Sequence, residues 1–177
     1  MSSPIALIRA AVMAQLSASL NTNLATSCAA FSVPIVAFDF AAGSLNVFQA
    51  NVGYSDTELS GTAMPNLLCV YGGTAAPFKA GGTQKLFNAT WSGNVSIILD
   101  LYLSVPGEAV SNFEPYADAG EGAVIATMNN LSLQANFAGS GKLYGLEISA
   151  ARQKCVLDGE NWIVPVRFTA QFEAYIS

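Results

Sequence analysis

Residues 162–175 read WIVPVRFTAQFEAY and carry the alternating pattern of a long β-strand. Its apolar positions share one face of an extended chain: Trp162, Val164, Val166, Phe168, Ala170, Phe172 and Ala174. Successive side chains of a strand point to opposite faces, so this strand should have one face in the core and one outside it. A long strand placed last must pair with earlier strands, which predicts a sheet that its own final element completes.

Two earlier segments are the predicted partners of this strand. Residues 143–156 read as a strand, and Asp158-Gly159 is a common signal for the tight turn of a hairpin. A longer strand is predicted within residues 85–105, and over residues 94–104 its apolar residues lie on one face and most of its polar residues on the other. Because the last connection is short, antiparallel pairing is favoured.

The middle of the chain supplies further short strands. Residues 66–71 are a continuous apolar run that stops at Gly72-Gly73, which predicts a strand buried on both faces. Residues 74–84, rich in glycine, are predicted to form an exposed loop. Short strands are also predicted within the early segment 33–63, over residues 35–40 and 45–52.

An amphipathic helix is predicted at the beginning of the chain. Ser3 can cap it and Pro4 suits its first turn. Its apolar stripe consists of Ile5, Ile8, Val12, Leu16 and Leu20. Arg9 interrupts the apolar run and no basic segment precedes it, which argues against a signal peptide. We therefore expect this helix to pack on the sheet.

A second helix is predicted over residues 111–130. Ser111 and Glu114 have the spacing of a capping box, and apolar residues recur behind them at helical intervals. Gly120 and Gly122 weaken this helix and would allow it to approach the sheet closely. The order of helix, strands, helix and hairpin predicts an α+β fold with a mainly antiparallel sheet packed against two helices. No polar linker divides the 177 residues, so we expect a single domain over residues 1–177.

The composition is unusually apolar for a single copy in water. Hydrophobic residues make up 52% of the chain and charged residues 11%. A small domain has too much surface to cover with so few charges, which predicts burial of the surplus against other copies. No unbroken apolar run in the sequence is long enough to span a bilayer.

The sequence offers little for metal, cofactor or nucleic-acid binding. Histidine is absent, and Cys28, Cys69 and Cys155 are widely spaced among apolar neighbours, as free thiols in a reducing compartment are. We therefore predict no metal site and no cofactor. The net charge is −5 and the basic residues are dispersed, which argues against specific binding of nucleic acid.

The candidate catalytic carboxylates have structural explanations. Asp100 lies on the polar face of its strand, where Arg167 could pair with it across the sheet. Glu114, Asp118 and Glu121 lie in the first half of the second helix, where negative charge favours the helix dipole. Without histidine no ordinary catalytic triad can form. We expect no enzyme, and a serine–lysine dyad remains the catalytic alternative.

Three residues are predicted to make contacts between subunits. Phe78 and Lys79 lie in the loop after the buried strand, and Trp91 precedes the long alternating strand. Aromatic residues are enriched at protein interfaces, which favours this role. For Trp91, packing in the core is the competing interpretation.

Taken in order, the elements resemble the tail terminator family, also called tail completion proteins, of long-tailed bacteriophages. The matching elements cover most of the chain: the leading helix over residues 4–24, the proline-opened strand over 64–70, the alternating strand over 94–104, the second helix over 111–130 and the closing hairpin over 145–175. Residues 33–63 are longer and more strand-like than the family pattern.

This resemblance implies a structural virion protein without catalysis. It implies a homo-oligomeric ring, commonly a hexamer, that is assembled in the host cytoplasm and lies at the head-proximal end of the tail. The implied partners are the tail tube protein, which the ring caps, and the head-neck connector protein, which docks on the ring. DNA would pass through the lumen without specific binding, and no membrane is implied.

Other functions remain open from the sequence. A different neck or tail component is the alternative within the same class. A surface module that binds sugar or protein is the alternative from another class, and cleavage of the N-terminal segment would favour it.

Overall fold

The long C-terminal strand lies inside a sheet that is flanked by helices. A computed structural model of the chain describes residues 3–54, 57, 66–78, 90–106, 113–129 and 132–177. The elements in these residues are α1 (Pro4–Phe31), β1 (Val47–Phe48), β2 (Leu67–Pro77), β3 (Trp91–Pro106), α2 (Glu114–Met128), α3 (Ser132–Phe137), β4 (Gly141–Arg152), β5 (Val156–Asp158) and β6 (Asn161–Ile176).

The strands form one six-stranded sheet with the order β1-β2-β3-β6-β4. The short strand β5 also pairs with β6, on the same side as β4. β1 and β2 are parallel, and the other pairs are antiparallel. β3 and β6 stay in register from Trp91 opposite Ile176 to Pro106 opposite Asn161. The predicted α+β fold with a mainly antiparallel sheet is confirmed.

The helices pack on one face of this sheet. The predicted apolar stripe of α1 is confirmed, since Ile8, Val12, Leu16 and Leu20 are fully buried. The helix continues past residue 24 to Phe31, and it packs on α2, α3, β2 and β3. In the described part of the chain, α1 is long and apolar enough to cross a membrane, a property that core helices of globular proteins share. Its buried stripe here belongs to the main core.

Helix α2 approaches the sheet closely at Gly120, as predicted, but not at Gly122, which is exposed and has only Ser27 Oγ of α1 nearby. A β-carbon at Gly120 would lie 2.8 Å from Leu101 Cδ2 and 3.0 Å from Leu103 Cδ1. The side chains of β3 therefore occupy the space that a larger residue would need. The predicted cap residue Ser111 lies outside the described residues, and the helix is seen from Glu114 to Met128.

Within the described residues the sheet packs against three helices rather than the predicted two. The third, α3, is a short helix over Ser132–Phe137, and Leu133 and Phe137 of α3 are buried in the main core. A six-residue helix is too short to show a clear 3.6-residue periodicity in the sequence, which is why it was not predicted.

The predicted stop at Gly72-Gly73 is wrong, because β2 continues through both glycines to Pro77. Residues 74–77 are therefore strand rather than loop, with a register shift between Gly72 and Ala75. A side chain at Gly72 would collide with Ile5 of α1. Glycine is needed here because it allows α1 to lie against the strand, and it does not mark a turn.

The early segment is less regular than predicted. Residues 33–40 contain no strand, and only Val47–Phe48 forms one within residues 45–52. Val36 and Phe38 are instead buried in the main core. The side chain of Asn21 in α1 takes the place of a partner strand, because its amide donates to the Phe38 carbonyl at 2.8 Å and accepts from the Phe38 N–H at 2.9 Å.

A second, smaller core lies on the sheet face away from the helices, here called the outer face. Its buried members are Tyr54, Leu67, Cys69 and Ile163, with Phe48, Val52, Tyr71 and Tyr102 packed around them. The chain after β1 therefore crosses onto the outer face, where the Tyr54 and Tyr102 rings lie 5.8 Å apart. Residues between α1 and β1 pack on the helix side, since Val36 and Phe38 are buried in the main core. The described part of the early segment therefore contributes to both cores.

Candidate interaction surfaces

Two of the three predicted interface residues pack within the chain. Phe78 is half-buried, with its ring centroid 5.7 Å from that of Tyr175. Its backbone N–H donates to the Ser92 carbonyl at 3.1 Å. Trp91 is half-buried against the main core, as the competing interpretation predicts. Lys79 lies outside the described residues. A role of these residues between subunits stays a prediction.

The outer face carries a polar cluster at its centre. The predicted pair of Asp100 and Arg167 is confirmed: the Arg167 Nε and Nη2 groups donate to the two carboxylate oxygens at 2.7 and 2.9 Å. The Tyr71 hydroxyl donates to Asp100 Oδ2 at 2.8 Å. The Asp100 side chain is only 4% exposed. Both oxygens of this carboxylate are engaged, which is a structural arrangement rather than that of a free base or nucleophile.

Burial and the charge of Asp100 raise the pKa values of the side chains around this cluster. Burial, followed by the hydrogen bond and charge of Asp100, raises the pKa of Tyr71 to about 12. Burial and the same carboxylate raise the pKa of Tyr102. Burial raises the pKa of the Cys69 thiol to about 11. Each shift keeps the group neutral at physiological pH, so neither a phenolate nor a reactive thiolate is available here.

Arg152, at the end of the edge strand β4, connects this strand to α2 through ion pairs. Its guanidinium pairs with the acidic stripe of that helix, formed by Glu114, Asp118 and Glu121. The contacts to Asp118 and Glu121 measure 2.5 and 2.6 Å. From the sequence, these carboxylates were expected to interact with the helix dipole, and their ion pairs with Arg152 were not predicted. Their spacing on one helix face was the available signal, but the partner comes from a distant strand.

A cleft lies beside the hairpin of β5 and β6 on the outer face, here called the β5 cleft. Its volume is about 250 Å³. It is lined by Tyr54, Tyr102, Gln153, Lys154, Val156, Leu157, Asp158, Ile163 and Pro165. Val156 and Leu157 are 55% and 57% exposed, although both are large and apolar. Burial raises the pKa of Tyr54, and the Asp158 carboxylate raises it further. The result is an apolar hollow with charged groups on its rim.

Three further large apolar residues are exposed at the end of α1 and in the chain between α1 and β1, here called the β1-edge residues. They are Phe31, Ile35 and Leu45, which are 43%, 65% and 57% exposed. Leu45 lies two residues before β1, which forms one edge of the sheet. β5 lies at the opposite edge. Neither feature was predicted from the sequence, because the exposure of an apolar residue depends on which neighbours the fold brings to it.

The described residues hold no cluster of His, Cys, Asp and Glu side chains with the arrangement of a metal site. No protein-family model and no curated protein matches the sequence. A comparison with solved structures finds one chain with 11% sequence identity and a TM-score of 0.32, with 92% of this chain and 95% of that chain covered. This score is too low to establish a shared fold.

Proposed function

We propose that the protein is a structural virion component that forms a homo-oligomeric ring on the completed tail tube of a long-tailed phage. The ring caps the tube and offers its other side to the head-neck connector. The proposal starts from the resemblance in element order and is supported by the distribution of apolar surface on the fold.

The observation that carries the proposal is the exposure of different large apolar residues toward opposite edges of one sheet. The β1-edge residues and the apolar residues that line the β5 cleft have no member in common. A ring of identical subunits needs two different patches on each subunit, since each copy contacts one neighbour with the first patch and the other neighbour with the second. A two-fold dimer would instead bury one self-complementary patch. The surfaces of this chain suit the ring.

The charge of the chain suits a channel for DNA. The net charge is −5, and among the described residues Arg152 and Arg167 are already paired with carboxylates. A surface with the sign of the phosphates repels them, so DNA would slide through the lumen without sticking. The mechanism of capping is geometric: the ring covers the edge on which the next tube subunit would add.

Tube growth in vitro tests this function. The tail tube protein encoded in the same genome would be polymerised with and without the purified chain, and tube lengths measured by negative-stain electron microscopy. We expect growth to stop early and an extra disc to mark one end of each tube. Unchanged tube lengths with no end density would contradict the proposal. An equal concentration of serum albumin controls for crowding.

A further inference from the structure

We propose that a polar cleft beside β4 on the outer face, here called the β4 cleft, binds a neutral sugar. Its volume of about 360 Å³ lies within the roughly 300–1,000 Å³ of small-molecule sites. The cleft shares no lining residue with the β5 cleft and includes none of the β1-edge residues. This inference therefore goes beyond the proposed function and does not depend on it. The residues that line the cleft are Asn94, Gly145, Glu147, Gln171, Phe172 and Glu173.

The pairing of three strands brings four polar side chains of the cleft together. Gln171 and Glu173 alternate along β6 on the same face as Arg167. Asn94 of β3 lies opposite Glu173, and Glu147 of β4 lies opposite Gln171. Residues directly opposite each other in an antiparallel pair have β-carbons about 5 Å apart. Two amides and two carboxylates therefore border one hollow.

A bulge in β4 lies at the cleft itself. The register of β4 against β6 shifts between Tyr144 and Glu147, and Gly145 within this step has a φ of +54°. Glycine adopts this left-handed conformation without the strain that a side chain would cause. Bulges bend a strand, redirect its side chains and are common beside binding sites. Gly145 also lines the cleft, so the irregular step forms part of its wall.

Most of the polar side chains of the cleft have no partner within the described part of the chain. Asn94, Glu147 and Gln171 are exposed, and none of them forms a side-chain hydrogen bond or an ion pair with another described residue. Glu173 uses one carboxylate oxygen, which accepts from the Tyr175 hydroxyl at 2.5 Å. The hydrogen-bonding groups of the cleft are therefore open to a ligand.

The mixture of these groups favours hydroxyl groups over ions. Carboxylates only accept hydrogen bonds, whereas the amides of Asn94 and Gln171 both donate and accept. Sugar hydroxyls also donate and accept, so a sugar can use all four side chains. Two carboxylates and no basic residue line the cleft, so an anion such as phosphate is repelled. A cation would bind the oxygens but leave the amide N–H groups unused.

A tyrosine ring beside the cleft supplies the apolar contact that suits the C–H face of a sugar ring. Tyr144 lies opposite Glu173 and is 43% exposed. Its ring meets the Tyr175 ring edge-on, with centroids 5.7 Å apart and an angle of 83° between the planes. The Tyr175 hydroxyl in turn binds Glu173. The aromatic ring and the carboxylate are thus held in place before a ligand arrives, which lowers the entropic cost of binding.

Saturation-transfer NMR with simple glycosides tests the site. The probes are the methyl glycosides of glucose, galactose, mannose and N-acetylglucosamine, each added to the full chain. We expect at least one of them to bind with a dissociation constant on the order of 1 mM. Glu147→Ala and Gln171→Ala each remove a hydrogen-bonding group, and we expect each to weaken binding about tenfold. Glu160→Ala and Gln153→Ala are the matched controls, since both residues are exposed and neither lines the cleft.

Binding of a glycoside that both cleft variants weaken and both controls leave unchanged supports the site. Saturation transfer to none of the four glycosides, binding that the cleft variants leave unchanged, or an equal loss in the controls would overturn it. A titration with calcium chloride, followed by amide chemical shifts, tests the competing ligand. Calcium binding at the cleft without binding of any glycoside would overturn the sugar assignment in favour of a cation site. Thermal unfolding of each variant confirms that it is folded.

Discussion

Arg167 on β6 lies directly opposite Asp100 on β3 and donates hydrogen bonds to both of its carboxylate oxygens. The two side chains differ in exposure, since the arginine is 41% exposed and the aspartate 4%. The buried carboxylate thus depends on a partner that reaches it from the surface. Removal of the arginine should therefore lower the free energy of unfolding by more than the loss of an exposed ion pair does. The reason is that it leaves a buried charge with fewer hydrogen-bond partners.

Substitution of Arg167 therefore tests the dependence of the buried carboxylate. We expect Arg167→Met to lower the free energy of unfolding by about 2 kcal/mol, since only the Tyr71 hydroxyl would remain to satisfy Asp100 among the contacts above. Adding Asp100→Asn removes the buried charge and should recover about half of this loss. Urea unfolding at fixed protein concentration measures both effects. Strictly additive losses in the double variant would contradict the coupling.

The same cluster predicts a dependence on alkaline pH. The pKa of Tyr71 is raised to about 12, so the folded chain holds its phenolic proton more tightly than the unfolded chain does. The resulting stability is complete below the ordinary tyrosine pKa near 10 and is lost as the pH rises from there to about 12. The difference in phenolate absorbance between the original protein and Tyr71→Phe should show a midpoint near pH 12. A midpoint near 10 would contradict the assignment.

Two glycines of α2 should respond in opposite directions to alanine. In Gly120→Ala the new methyl group meets Leu101 and Leu103, and we expect this overpacking to lower stability by about 1 kcal/mol. Gly122 is exposed and has only Ser27 Oγ nearby, at 3.4 Å, so Gly122→Ala should gain up to about 1 kcal/mol from helix propensity. Thermal unfolding of the pair gives the comparison. Equal shifts in both variants would show that α2 does not pack closely at Gly120.

Asn21 is expected to hold the early segment on α1. Asn21→Ala removes both hydrogen bonds to the Phe38 backbone, which should cost about 1–2 kcal/mol. Amide hydrogen exchange at Phe38 should also become faster. Thr22→Ala is the matched control, because Thr22 is exposed and its substitution should change stability by less than about 0.5 kcal/mol. Unchanged exchange at Phe38 in the Asn21 variant would contradict this role.

Much of the sheet was predictable because its strands are long and their alternation is strict. The pattern of β6 separates an apolar face from a face that carries Arg167, and β3 does the same with Asp100. Their antiparallel pairing then places the two charges on one face, which is why this contact could be predicted. The helical stripe of α1 was equally clear, because four turns repeat it.

The remaining features depend on contacts that no local pattern encodes. Gly72 reads as a strand terminator, but its role is to admit Ile5 of α1. The Phe38 backbone is hydrogen-bonded by the side chain of Asn21 rather than by a partner strand. The exposure of the β1-edge residues and the β5 cleft depend on which residues the fold leaves uncovered. Composition predicted that apolar surface would be available to other copies, but not where it lies.

The account depends most directly on self-association through two different surfaces. The solution mass of the purified chain, measured by light scattering, tests it, and negative-stain imaging of the same fractions shows the form of the assembly. The account predicts a single closed species whose mass reaches a fixed multiple of 18.4 kDa and stays there as concentration rises, with rings in the images. A mass of one subunit at every concentration, or a two-fold dimer that grows no further, would contradict it.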